Sequence, residues 1–164
     1  MDSTGLLSLL REELMDQEEP YLWSDEFLLA CQDDAQLMFC RETDGIPDDA
    51  TPEVVEIEVT PGSDRVALRP SIRLIRAAQR GDTGAAVEVV TTGDMARRGW
   101  RFDGAAGMTR ALVIGGSANA ARVWPVASEA YTLQLTVFRL PLTSITDTDQ
   151  PFEVSAEHHR HLSL

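Results

Sequence analysis

Three histidines sit close together near the C-terminus: His158, His159 and His161, in the run HHRH. His158 and His161 are three residues apart and would share one face of a helix, a spacing that can present two imidazoles to zinc. Only Glu157 adds a nearby carboxylate, and a catalytic zinc would need a further ligand from elsewhere. The expected role is therefore a partly exposed helix face, with no metal. A second cluster mixes cations and rings: Arg97, Arg98 and Arg101 flank Trp100 and Phe102. That mixture can stack bases and hold phosphates. Arg and Trp also dominate the hot spots of protein contacts. Asp94 and Asp103 lie beside it, and the chain carries a formal net charge of −13. Both weigh against nucleic acid, so the cluster is expected to touch protein, with a plain surface loop as the alternative.

Other chemistries lack their residues. The chain has no Lys, which removes the P-loop lysine and Schiff-base catalysis. GGSANAA (Gly115–Ala121) is glycine-rich but lacks the G-x-G-x-x-G order, and reads as a turn between strands. HExxH and GxSxG are absent. The acidic stretch TDGIPDDATPE (Thr43–Glu53) lacks the ligand order of a calcium loop and is expected to be solvated. Adjacent carboxylates such as Glu12/Glu13 and Asp33/Asp34 are expected on solvated helix faces. No enzyme activity and no cofactor are expected.

The acid is unevenly placed. Residues 1–53 hold 15 Asp/Glu and two bases, Arg11 and Arg41, whereas residues 54–164 hold 12 of each sign. The whole net charge belongs to the first third, which should repel nucleic acid. Apolar content of 43% and charged content of 25% are ordinary for a globular fold. No apolar run approaches the roughly 18 residues that span a bilayer. The opening MDSTGLLSLLREEL is acidic and fails as a signal peptide, so a cytosolic protein is expected.

These residues need elements to position them. Ser3 can cap a first helix running to about Met15, with Leu6, Leu7, Leu10 and Leu14 along one side. Pro20 should end it, with Tyr21, Leu22 and Trp23 forming an aromatic plug. Ser24 caps a second helix to about Glu42, its apolar face made of Phe27, Cys31, Ala35 and Met38, widened by Leu28 and Phe39. Cys31 and Cys40 are nine apart on that helix, roughly 13 Å along its axis, too far for a disulfide. They are expected to be two buried thiols.

After the acidic linker, short runs alternate at strand spacing. VVEIEV (Val54–Val59), RVAL, SIRLIRAAQ, AVEVV (Ala86–Val90), RALVIGG, AARVWPV and YTLQLTVFRL are each separated by turn residues. Ile75 breaks the alternation begun by Ile72 and Leu74. TGDMARRGWRFDGAAGM reads as a long loop. Tyr131, Leu133, Leu135, Val137 and Leu140 should face a core, with Gln134 and Thr136 outward. The predicted fold is α+β: an N-terminal helical hairpin (1–42), an acidic linker (43–53), an antiparallel β-sandwich or barrel (54–142), and a C-terminal loop and helical tail (143–164). Ser155 would cap that last helix, which is cut short after about two turns. The intact protein is expected to continue past Leu164, or the tail to dock on a partner.

The order of features resembles the head-to-tail adaptor (head–tail connector) proteins of short-tailed bacteriophages, over nearly the whole chain. The carriers are an R-x-x-L-x-D run (Arg11, Leu14, Asp16), then Tyr21, Trp23, Ser24, Asp25 and Glu26, and a helix with Ala35. They continue with a late strand ending in R-x-P-L (Arg139, Pro141, Leu142), and a His after an acidic turn, His158 or His159. The resemblance implies a structural virion protein, in a ring of about twelve copies beneath the portal, with heterologous contacts around the circle. It implies that the ring joins head to tail and lines the DNA exit channel. The implied partners are the portal protein, tail or nozzle proteins below, further copies of the chain, and passing double-stranded DNA without sequence-specific binding. The implied location is the virion neck, and the host cytoplasm during assembly. Protein-contact candidates are Arg97, Arg98, Trp100, Arg101, Phe102, His158, His159, His161, Leu162 and Leu164. The competing reading is a non-viral interaction module, a β-sandwich with a helical hairpin and no catalysis.

Overall fold

The computed structural model describes residues 3–155 and 157–158. The chain divides into two compact units: residues 1–46 with 140–164, and residues 47–139.

In the first unit, helix α1 spans Ser3–Glu13 and helix α2 spans Asp25–Glu42. Leu6 and Leu7 are buried on α1 as their spacing predicts, and Ser3 is its first residue rather than its cap. The helix stops well before Pro20. Met15 N–H donates to Glu12 O (3.1 Å) and Asp16 N–H to Arg11 O (2.8 Å), and Met15 sits at φ 54°. That is a Schellman closure with methionine where glycine is usual. Leu14 is consequently exposed.

Helix α2 is capped by Ser24, whose hydroxyl accepts from Phe27 N–H. Its buried residues are Leu28, Leu29, Gln32, Gln36 and Cys40. The expected apolar face is therefore corrected: Phe27, Cys31 and Met38 are exposed, and Ala35 is half-buried. Cys31 is an exposed thiol and Cys40 a buried one. The cause is a long-range partner. Gln36 Oε1 accepts the backbone N–H of Glu153 (2.9 Å) and Val154 (3.3 Å), so an amide belongs inside where periodicity favours rings.

The returning segment is irregular, and side chains satisfy its backbone. Asp33 accepts from Ile145 N–H (2.9 Å), Glu153 from Leu142 and Thr143, and Gln150 from Thr146 and Asp147. Leu6, Leu29, Ile145 and Phe152 form the core of this unit. Of the expected terminal helix, Glu157 and His158 adopt 3₁₀ geometry, and the rest lies outside the described residues.

The strands, in the second unit save for Ile46, are β1 (Ile46–Asp48), β2 (Glu56–Val59), β3 (Arg65–Ala67), β4 (Ile72–Arg80) and β5 (Ala86–Thr91). They continue with β6 (Ala106–Gly107), β7 (Ala111–Ser117), β8 (Ala120–Trp124), β9 (Val126–Ala127) and β10 (Tyr131–Arg139). The main sheet runs β1-β10-β4-β5-β7-β8-β3, with β2 also on β10, and β6 pairs with β9. The fold is α+β as expected. The sheet is mixed rather than wholly antiparallel, because β5 and β7 run parallel. The core gathers Val59, Leu112, Val123, Leu133, Leu135, Val137 and their neighbours.

Three local readings change. Val54 and Val55 belong to a short helix, α3 (Pro52–Val55), and the strand begins after it. Within the acidic stretch Asp48 is buried, not solvated. Along β10 the register steps past Arg76 and again past Arg73 on β4. Each step is a bulge, and each reverses which residues face inward. Ile75 is thereby buried and Leu74 exposed. On β10, Tyr131, Leu133, Leu135 and Val137 are buried as expected. Arg139 is also buried, while Leu140 beyond the strand is half-buried.

Candidate functional site

The cluster at 91–102 is not a plain loop. Helix α4 spans Thr92–Arg97 and opens with a capping box: Thr91 Oγ1 accepts from Asp94 N–H, and Asp94 accepts from Thr91 N–H. The T-x-x-D spacing is that of a capping box with Asp in place of Glu, a signal present in the sequence. Met95 then enters a small core with Val90, Ala111 and Val113, and Trp100, Phe102 and Trp124 pack against it. Trp100 stacks on Trp124 with ring centroids 4.2 Å apart. Trp124 Nε1–H donates to Arg101 O (3.0 Å).

Most of the arginines here already have carboxylate partners. Arg98 donates twice to Glu88, each bond 2.7 Å, with its guanidinium over the Trp100 ring. Arg97 pairs with Asp94. Arg122 pairs with Asp64 and lies 3.3 Å from the Phe102 ring centroid. The hydrogen bond from Arg98 holds the Glu88 carboxyl below its usual range. Asp94 is lowered to about 2, first by the Thr91 hydroxyl, then by its backbone N–H and by Arg97. Among the described residues Arg101 meets no such carboxylate, and it is exposed. The five predicted contact residues are thus brought together, but as a braced aromatic platform with little spare positive charge for phosphate.

The histidine group is only partly placed. His158 Nε2 lies 3.4 Å from Glu157 Oε1, and its ring lies 5.0 Å from that of Phe39. His159, His161, Leu162 and Leu164 lie outside the described residues. Among the described residues, no group of three His, Cys, Asp or Glu side chains is arranged to hold a metal.

The first unit holds an exposed surface where the residue types predict an interior plug. Arg11 donates to Asp16 (2.8 Å), to Trp23 O (3.1 Å) and to Asp25 (2.5 Å), and its guanidinium lies 3.8 Å from the Tyr21 ring centroid. Asp16 also accepts the backbone N–H of Leu22 (2.7 Å) and Trp23 (3.1 Å). The Leu22 bond leads in holding the Asp16 carboxyl below its ordinary range; burial opposes it, and Trp23 N–H and Arg11 add to it. This buried ion pair takes the place a plug would fill. The apolar residues are turned outward: Leu22 is 79% exposed and Trp23 39%, and Trp23 stacks on an exposed Phe27. A loop with its charges inside and its rings outside is a marker of a contact surface.

Arg11, Asp16, Tyr21, Trp23 and Asp25, which converge here, all belong to the two N-terminal motifs. The SU10 adaptor protein family matches the chain over residues 1–163. The chain belongs to that family. It is a phage adaptor, a structural protein of the virus. No curated protein matches the chain. Among the described residues of this adaptor, no helix is long and apolar enough to cross a membrane. The third motif also has a structural role in the adaptor. Arg139 bonds to Asp48 through Nε, locking the end of β10 to β1. Burial pushes the Asp48 carboxyl up, but the Arg139 bond and those from Thr51 and Ala50 outweigh it and hold the group well below the carboxylate range.

Proposed function

We propose that this adaptor works as the head-to-tail connector of a short-tailed phage: a ring of about twelve copies beneath the portal, joining capsid to tail. Its role is structural rather than catalytic. The observation that carries the reading is the outward-facing apolar surface around Trp23, set in a segment with 15 acids and two bases. Such a patch on a lone chain is costly in water and is covered in an assembly. The same acidity suits a wall along which DNA slides, because it gives phosphates no cationic grip. The platform of Arg97, Arg98, Trp100, Arg101 and Phe102, and the tail with His158, His159, His161, Leu162 and Leu164, are further contacts with portal, tail or neighbouring copies. Within the platform Arg101 is the residue left to pair across an interface. The adaptor acts in the virion neck after assembly in the host cytoplasm.

The test is the mass of the purified chain by light scattering, alone and mixed with the portal ring of its own phage. A complex holding about one copy per portal subunit is expected. A chain that stays monomeric and ignores the portal refutes the reading.

A further inference from the structure

Helix α2 carries its apolar surface on the wrong side for its own unit. Phe27, Cys31 and Met38 follow the spacing of one helix face and are exposed, Met38 at 64%, and Trp23, just before the cap, stacks on Phe27. Counting 1.5 Å per residue from Phe27 to Met38, the stripe is roughly 17 Å long. The core takes the opposite side, through Leu29, Gln32 and Gln36. Asp34 lies along one edge of the stripe and is exposed. A partner for it must be apolar at the centre and set a cation opposite Asp34.

The chain itself carries such a surface in its second unit. Of the large apolar residues exposed there, Leu74 lies on the sheet, 42% exposed and paired across the strands with Phe138. The two bulges that turn Leu74 outward fall at Arg73 and Arg76. Both arginines are exposed, and the Arg76 guanidinium lies 5.6 Å from the Phe138 ring centroid. A regular strand would alternate sides here; the bulges instead set an apolar pair between two cations. The first patch is apolar with an acidic edge, and the second is apolar with a basic edge. Two different patches that fit each other make a head-to-tail contact, the kind that closes into a ring.

We infer that the exposed α2 face of one copy docks on the Leu74–Phe138 face of the next, with Asp34 opposite Arg76. This rests on the ring reading and specifies its surfaces.

The experiment uses the full chain, with Asp34→Arg, Met38→Asp, Arg76→Glu and the combined D34R/R76E. All three positions are exposed, so circular dichroism should show each variant folded. Self-association is followed by sedimentation velocity, alone and on the portal ring of its phage, and Cys31 is probed with a maleimide. Asp34→Arg, Met38→Asp and Arg76→Glu should each weaken self-association about tenfold, and D34R/R76E should recover to within about threefold of the original chain. Cys31 should label in the free chain and be shielded in the assembly. If the original chain assembles and the single variants assemble equally well, the inference fails while the ring reading stands. It also fails if the combined charge swap gives no recovery. If the variants form rings that no longer bind the portal, the α2 face belongs to the portal contact instead. If the original chain assembles under neither condition, inference and ring reading fall together.

Discussion

The Asp48–Arg139 pair gives the sharpest test of how the second unit is held together. Their side chains are 5% and 10% exposed, and the residues are 91 apart in sequence. Asp48 Oδ1 also accepts from Ala50 N–H (3.0 Å) and Thr51 N–H (2.9 Å). Asp48→Asn keeps an oxygen for those two donors but turns an amide N–H₂ or a neutral oxygen toward a buried guanidinium. A charge-assisted hydrogen bond is lost, worth about 2 kcal/mol, and a buried cation loses its counter-charge, so the total should be about 3 kcal/mol. Arg139→Met should cost about the same. The double variant should recover about 2 kcal/mol of the summed loss, because neither charge is then left alone.

The assay is urea unfolding followed by fluorescence in a Trp23→Phe background, so that Trp100 and Trp124 report on this unit. The pH dependence has a defined sign. The folded Asp48 carboxyl sits below the unfolded value of about 3.9. Its contribution is therefore complete above that value and is lost as pH falls through the folded value. The gap between the original chain and Asp48→Asn should hold from pH 8 to about pH 5, narrow below about pH 4, and close only in strong acid. A gap under about 1 kcal/mol at pH 7, or one already gone at pH 5, would refute the buried-pair argument.

Met15 holds a left-handed conformation that glycine adopts without cost, so Met15→Gly should stabilise the first unit by about 1 kcal/mol in urea unfolding; a loss would mean that its side chain contributes packing. Thr91→Ala removes the N-cap of α4 and should cost about 1 kcal/mol, read as a lower Tm, with Thr91→Ser close to the original. In the free folded chain one thiol, Cys31, should react quickly with Ellman's reagent and Cys40 only on unfolding; two fast thiols would contradict the placement of α2.

Much of the fold was legible in the residues because the signals were local. Turn residues separated the strand runs, and strict alternation from Tyr131 to Val137 marked the central strand. Ser24 with Asp25 and Glu26 announced the start of α2. The site was less legible. The platform around Trp100 was visible as a mixture of residue types, but its salt bridges depend on Glu88 and Asp64, which arrive from other strands. The aromatic turn at Tyr21–Trp23 reads in the sequence as an interior plug. What sends it outside is the Arg11–Asp16 pair beneath it, whose residues look like ordinary surface charges in a linear reading.

By itself the sequence determined the α+β order, the concentration of acid in the first third, the absence of lysine chemistry, and the motifs that place the chain among phage adaptors. Each depends on residues near one another in the chain. Tertiary structure alone decided which side of α2 is buried, which way the rings at 21–27 point, where β4 bulges, and that Asp48 is an interior charge. Each turns on a hydrogen-bond partner or a register. Gln36 is inside because the backbone of Glu153, 117 residues later, needs its oxygen. Asp48 is inside because Arg139 meets it there. Hydrophobic periodicity records how much each residue prefers to leave water. It holds no record of the distant donor or acceptor that makes a polar residue the better one to bury.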